Sequence, residues 1–230
     1  MNVLVSLFAA ISLALGACAD ARSGADGTVQ AGMTSQQQAG PLTTAQPDES
    51  LPVAYFAGGC FWCTEASFER IKGVQAVVSG YSGGTRPNPT YKQVASGQTD
   101  YAEAIAIYYD STVVDYPTLL DVFFVAHDPT TLNRQGPDVG PQYRSAIFYQ
   151  NEREKAQAGT AIARVEQSER YQRPVVTEVT AYTNFYPAEE YHQGYYELHP
   201  NNSYITNVSR PKVLKVEKEF KHLLKEAYKS

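Results

Sequence analysis

The chain is poor in sulfur. Its 230 residues include three cysteines, Cys18, Cys60 and Cys63, and two methionines, Met1 and Met33. So few cysteines exclude a small disulfide-held scaffold, which needs several bridges. They also leave a single Cys-x-x-Cys pair, whereas a structural zinc site usually takes two. His127, His192, His199 and His222 show no paired ligand spacing, so neither a metal nor a cofactor is expected. Positive charge is scarce too: the formal net charge is -5, and no uninterrupted Lys or Arg run occurs. That excludes a general nucleic-acid binder. In the most basic stretch, Lys212 to Lys229, Glu217, Glu219 and Glu226 are interspersed, the pattern of a solvated helix face.

Aromatic residues are missing from the first part of the chain. Residues 1–54 hold only Phe8, and every other aromatic, 17 tyrosines among them, follows from Tyr55 onward. One globular domain over 51–230 is expected, with enough apolar content for a sizeable core and many phenols that pack and hydrogen-bond at once. The apolar run Val3 to Leu15 is too short to span a bilayer and has the length of a signal-peptide core. It ends in Leu15-Gly16-Ala17-Cys18, which resembles a bacterial lipobox, although Met1 and Asn2 supply no basic side chain. The resemblance implies a signal segment over 1–18 and lipidation of Cys18. Residues 19–50 are rich in Ala, Gly, Ser, Thr and Gln and read as a disordered tether with a reach on the order of 30 Å. With Ala19 following the cysteine, lipoprotein sorting implies the outer membrane facing the periplasm. The lipid is then the only membrane contact of an otherwise monomeric domain.

Within the domain, strands are expected at Val53 to Ala57, Val74 to Tyr81, Tyr101 to Tyr109, Arg144 to Tyr149 and Val175 to Tyr182. Helices are expected at Cys60 to Ile71, Tyr116 to His127, Glu152 to Tyr171, Glu189 to Leu198 and Val213 to Tyr228, with Asp115 and Pro117 placed to start the second. Both faces of Tyr101 to Tyr109 are mostly apolar, which predicts a central strand covered on both sides. Thr130 to Gln142 reads as a long polar loop. The alternation predicts an α/β or α+β two-layer sandwich: a central mixed sheet with flanking helices and a ferredoxin-like core.

Cys60 follows a Gly58-Gly59 break at a strand end and opens a helix. A helix N-terminus favours a thiolate, which is the attacking form of cysteine. Cys63 lies one turn on, on the same face. A structural bridge between them would close a tiny loop and add little stability. A thiol–disulfide oxidoreductase of thioredoxin type shares the Cys-x-x-Cys pattern and remains open at this point, as does a non-catalytic surface lipoprotein.

Gly58-Gly59-Cys60-Phe61-Trp62 with Glu65 resembles the signature of the A-class peptide methionine sulfoxide reductases. Further segments match that family in order: Gly80-Tyr81-Ser82-Gly83-Gly84, Pro89-Thr90-Tyr91, Tyr101-Ala102-Glu103-Ala104, His127-Asp128-Pro129-Thr130, Asp138 to Ser145, and Glu190-Tyr191-His192-Gln193. The resemblance covers roughly residues 53 to 205. It implies reduction of methionine S-sulfoxide in proteins, with Cys60 as nucleophile and Glu103 as the acid that protonates the sulfoxide oxygen. Tyr91 and Tyr143 would hydrogen-bond that oxygen, Phe61 and Trp62 would hold the substrate methyl, and Asp138 would support substrate or water. His192 is given only a structural or supporting part. Glu103 shares a strand face with Ile105 and Ile107, where a desolvated carboxyl keeps its proton near neutral pH. Many relatives place recycling cysteines near the C-terminus. No cysteine follows Cys63 here, so Cys63 is expected to close a disulfide with the Cys60 sulfenic acid, reopened by a thioredoxin-like donor.

Overall fold

The structure is a computed structural model and describes residues 46–229. Cys18, the signal segment and the tether up to residue 45 lie outside the described residues. Gln46 to Ser50, assigned to the tether from sequence, sit beside the second strand. Gln75 Nε2 donates to the Gln46 carbonyl at 2.9 Å, and the Asp48 amide donates to Gln75 Oε1 at 3.2 Å.

The chain runs β1 (Val53–Gly58), α1 (Phe61–Glu69), β2 (Val74–Ser82), α2 (Tyr91–Ala95), β3 (Ala102–Tyr109) and α3 (Tyr116–Ala126). It continues through a small hairpin, β4 (Arg134–Gln135) and β5 (Asp138–Val139), into β6 (Ser145–Tyr149) and α4 (Glu152–Gln167). Then come β7 (Glu178–Ala181), β8 (Phe185–Pro187), α5 (Tyr195–Leu198) and α6 (Arg210–Glu219). The main sheet has the order β7-β6-β1-β3-β2-β8. Its four inner strands pair antiparallel. With α1 joining β1 to β2 and α3 joining β3 to β6, the order β6-β1-β3-β2 is that of a ferredoxin-like core. β7 adds in parallel beside β6, which makes the sheet mixed.

The period-two rule assigns the faces. Phe56, Ile105, Ile107 and Ile147 point to the side covered by α1 and α3, where Phe68, Leu119, Leu120 and Phe123 meet them, all fully buried. Each such side chain contributes about 1.5–3 kcal/mol by leaving water. The opposite face is floored by Ala57, Ala102, Ala104 and Ala146, over which Tyr55, Tyr182 and Phe185 pack. β3 is covered on both sides, and Glu103 lies on the helix-facing side. α3 starts as expected: Asp115 accepts the Thr118 amide at 2.9 Å and Pro117 stands in the first turn.

Departures from the sequence reading have local causes. The polar loop 130–142 contains the β4–β5 hairpin, because two-residue strands carry no periodic signal. β8 contains Pro187, which removes a ladder donor and is tolerated because β8 is an edge strand. The helix expected at Glu189 to Leu198 breaks into a 3-10 turn (Glu190–His192) and the short α5, since Gly194 takes a left-handed conformation with φ +62° between them. The helix expected at Glu152 to Tyr171 stops at Gln167, ahead of Glu169 at φ +55°. The last stops at Glu219 and continues as 3-10 turns.

His127, at the end of α3, ties the helix layer to the sheet. Its Nδ1 lies 2.7 Å from the Phe123 carbonyl, an obligate acceptor, so Nδ1 carries the proton. Nε2 then accepts from Ser145 Oγ at 2.7 Å. Burial pushes its pKa down to about 4, so the folded state holds it neutral. A base with a depressed folded pKa gives stability that is complete above its unfolded value near 6.5 and is lost as pH falls toward 4. The slope is about 1.4 kcal/mol per pH unit. His127→Gln is therefore expected to lower the urea midpoint at pH 7 and to flatten its decline between pH 6.5 and 4. Parallel pH dependences for variant and wild type would refute the assignment.

Candidate active site

The site is built at the junction of β1 and α1. Gly59 makes the turn with φ +88°, and a Cβ there would lie 2.5 Å from Gln135 Cγ. Glycine is therefore required on two counts, conformation and space. Gln135 is itself fixed, its side-chain amide exchanging hydrogen bonds with the Asp128 backbone. Through this contact the β4–β5 hairpin, which carries Asp138, is held against the start of α1.

Cys60 is the N-cap of α1 and is 5% exposed; Cys63 is 2% exposed, and both are free thiols. Glu103, 2% exposed, reaches across from β3 and accepts the Phe61 amide at 3.1 Å. Burial pushes the Glu103 carboxyl up to about 8, against the pull of that amide, and the negative charge of Asp138 adds to the rise. Glu103 is thus a protonated carboxylic acid at neutral pH.

The thiols depart from the expectation that the helix N-terminus makes Cys60 the thiolate. The Phe61 amide is taken by Glu103, and the Cys60 sulfur is buried. Burial, the Cys63 sulfur and Glu103 all push the Cys60 thiol up. Cys63 is brought down to about 7, first by the hydrogen bond with Cys60, with Lys212 and Ser209 adding to the effect. The two thiols titrate as a coupled pair, with Cys60 pushed up and Cys63 brought down.

Aromatic side chains enclose the sulfur. Phe61 is fully buried among Tyr81, Tyr91 and His192. Trp62 is half-buried, stacked on Tyr195 at 3.9 Å, with the edge of Tyr204 at 5.8 Å. Its indole N–H donates to His192 Nδ1 at 3.2 Å, so His192 orients Trp62. Tyr91 opens α2, where its backbone amide donates to Glu189 at 2.9 Å. Gln142 Nε2 donates to the Ala95 carbonyl at 2.9 Å, fastening the turn that carries Tyr143 to the helix that carries Tyr91. Burial pushes the Tyr91 phenol up to about 12 and the Tyr143 phenol higher still; Glu103 and Cys60 act on both. Both phenols are therefore neutral donors at the same centre.

All eight domain residues singled out from the sequence (Cys60, Phe61, Trp62, Cys63, Tyr91, Glu103, Asp138 and Tyr143) converge here. Cys18 lies outside the described residues. Sequence reasoning missed Tyr204, whose hydroxyl donates to Asp138 at 2.5 Å and whose phenol is coupled electrostatically to Cys60 and Cys63. It missed Glu189 and Tyr195 as well. With 17 tyrosines in the chain, nothing in the Asn202-Ser203-Tyr204 stretch marks that residue.

A buried nucleophile, a neutral carboxylic acid and several phenol donors in one aromatic enclosure can attack a centre bearing a basic oxygen and protonate that oxygen. Comparison with known proteins agrees with this chemistry. The peptide methionine sulfoxide reductase family model matches residues 52–224. A peptide methionine sulfoxide reductase MsrA from Chromobacterium violaceum is 49% identical over 171 residues, covering 74% of this chain and 97% of the relative. One from Acinetobacter baumannii is 50% identical over 172 residues, covering 75% and 98%. Among solved structures, Mxr1 from Saccharomyces cerevisiae in reduced form matches with TM-score 0.61 and 34% identity, over 68% of this chain and 91% of that one. Methionine sulfoxide reductase A of Corynebacterium diphtheriae matches with TM-score 0.60 and 30% identity, over 67% and 78%. The chain belongs to the peptide methionine sulfoxide reductase family.

Proposed function

We propose that this chain reduces methionine S-sulfoxide, in proteins and as the free amino acid, to methionine, and so repairs oxidised proteins. The observation that carries the reading is the neutral carboxyl of Glu103, held beneath the helix start that carries Cys60. Sulfoxide oxygen departs from sulfur only when protonated, and a charged carboxylate could not supply the proton.

The reaction proceeds in two half-steps. As the sulfoxide enters, Cys60 passes its proton to Cys63 and attacks the substrate sulfur as a thiolate. Glu103 gives its proton to the oxygen, helped by the phenols of Tyr91 and Tyr143. The S–S bond so formed then breaks as the hydroxyl moves from the substrate sulfur to Cys60: the substrate keeps the electron pair and leaves as methionine, and Cys60 becomes a sulfenic acid. In the second half-step Cys63 attacks the Cys60 sulfur. The S–O bond breaks, the S–S bond forms, and the proton given up by Cys63 leaves with the hydroxide as water. An external dithiol of thioredoxin type then reduces the Cys60–Cys63 bridge and is itself oxidised.

Trp62, stacked on Tyr195 beside Phe61, forms an apolar wall for the substrate methyl. With methyl and oxygen both fixed, only one epimer presents its sulfur to Cys60. Asp138, hydrogen-bonded by Tyr204, holds that phenol against the sulfur. The leader sequence supports a site of action outside the cytosol, with the domain anchored through a lipid on Cys18 and served by a periplasmic reductant.

Epimer-defined methionine sulfoxide peptides with a small dithiol test the reading. Wild type is expected to convert the S-epimer and leave the R-epimer, and Cys60→Ser to convert neither. Reduction of disulfide substrates without any sulfoxide turnover would favour the general thiol–disulfide oxidoreductase instead.

A further inference from the structure

Lys212 stands out among the basic residues of the C-terminal stretch. It lies on α6 with its stem only partly exposed. Its Nζ is buried and has no hydrogen-bond partner among the described residues. A buried ammonium without a partner is costly and calls for a reason. Three residues earlier, Ser209 is fully buried, and its hydroxyl lies 3.1 Å from Cys63 Sγ. Ser209 closes a π-helical turn, Ile205–Ser209, that leads into α6. Such turns insert one residue into a helix and re-aim the side chains of the next turn, often at a functional site. α6 packs directly on α1, the helix that carries Cys63.

We propose that Lys212 and Ser209 are positioning residues for the disulfide-forming step: Ser209 holds the Cys63 sulfur by a hydrogen bond, and the Lys212 ammonium stabilises the charge that sulfur carries as it attacks Cys60. The proposal rests on the reading of Cys63 as the resolving cysteine. Toward a thiol, the Ser209 oxygen accepts; toward a thiolate, the Ser209 hydroxyl donates. Cys63 then loses its proton, its sulfur bonds to the Cys60 sulfur, and hydroxide leaves that sulfur and takes up the proton. One sulfur is oxidised and the other reduced.

The other groups that face Cys63 set the repulsion that Lys212 must offset. Asp138, from β5, pushes the Cys63 thiol up. Glu103, from β3, and the Tyr204 phenol, from the segment before α6, also interact with it. Against these stands the Lys212 ammonium, which brings the Cys63 thiol down. Cys60 acts on that thiol too and brings it down. The Ser209–Lys212 spacing of three puts both on one side of the helix start.

The two half-steps can be timed separately in one mixing experiment on the full chain. Methionine release is read by chromatography, and the Cys60–Cys63 bond by mass spectrometry of alkylated samples. In Lys212→Met, which keeps the apolar stem, bond formation is expected to fall about tenfold relative to methionine release at pH 7. The gap should close above about pH 9, where an unassisted thiol ionises. Lys212→Arg should restore the wild-type ratio, and Ser209→Ala should lower it. A Lys212→Met profile superimposable on wild type would overturn the proposal, as would a deficit equal at every pH, which is the mark of a merely structural role. If wild type forms no Cys60–Cys63 bond at all, the reading of Cys63 fails first and takes this proposal with it.

Discussion

Glu103→Gln is expected to slow methionine formation by at least about 10²-fold, the usual loss when a general acid is removed. Gln is close to isosteric with the protonated acid, and its amide oxygen still accepts the Phe61 amide. The loss should therefore fall on the chemical step, with little change in substrate binding. The pH profile gives a second signature. Glu103 keeps its proton up to about 8, so the wild-type reductase step should decline above that pH, and the variant should lack this alkaline limb.

Stability should move the other way. A carboxyl whose folded pKa is raised gives stability that is complete below its unfolded value near 4.5 and is lost as pH rises toward 8. The Gln side chain does not titrate, so Glu103→Gln should melt higher than wild type at pH 8 and close to it at pH 4.5. Activity within twofold of wild type in the variant would remove Glu103 from the mechanism.

Cys63→Ser is expected to release about one methionine per chain and then stop when a thioredoxin-like dithiol is the reductant. Steady-state turnover should fall by about 10²-fold or more, because recycling depends on a thiol placed within one helical turn of the sulfenic acid. No cysteine follows Cys63 in the sequence. A small monothiol that can enter the site should restore part of the turnover by attacking the sulfenic acid itself. The burst should also shift to higher pH, since Cys63 is the base that takes the Cys60 proton. Full thioredoxin-driven turnover in Cys63→Ser would contradict the assignment.

The inner sheet and its two covering helices were legible in the sequence because their periods are long and their ends are marked. Asp115 and Pro117 announce α3, Gly58-Gly59 closes β1, and β3 is apolar on both faces. The placement of Glu103 beside Ile105 and Ile107 was enough to anticipate a carboxyl on the helix-facing side. The alternating pattern could not resolve β4 and β5, which are two residues each and so never repeat the period. It also overran the break at Gln193 and Gly194, because the flanking residues have helical composition while Gln193 turns extended and Gly194 takes a positive φ.

Within the site, the motif matches found the residues but not the charge state. Where the Cys60 proton rests depends on side chains far away in sequence. Glu103 occupies the amide that would have faced the sulfur, and Ser209 and Lys212 act on Cys63 from the other side. Tyr204 was invisible for a similar reason: its importance comes from meeting Asp138 and Cys60, which no local pattern records.

The central claim is that oxygen passes from the substrate to Cys60. It is tested most directly by mixing reduced Cys63→Ser with one equivalent of methionine S-sulfoxide peptide, quenching with a sulfenic-acid trap, and mapping the modified residue by mass spectrometry. The account predicts methionine and trapped Cys60 in equal amounts, rising at the same rate. Methionine formed while Cys60 stays reduced would contradict it.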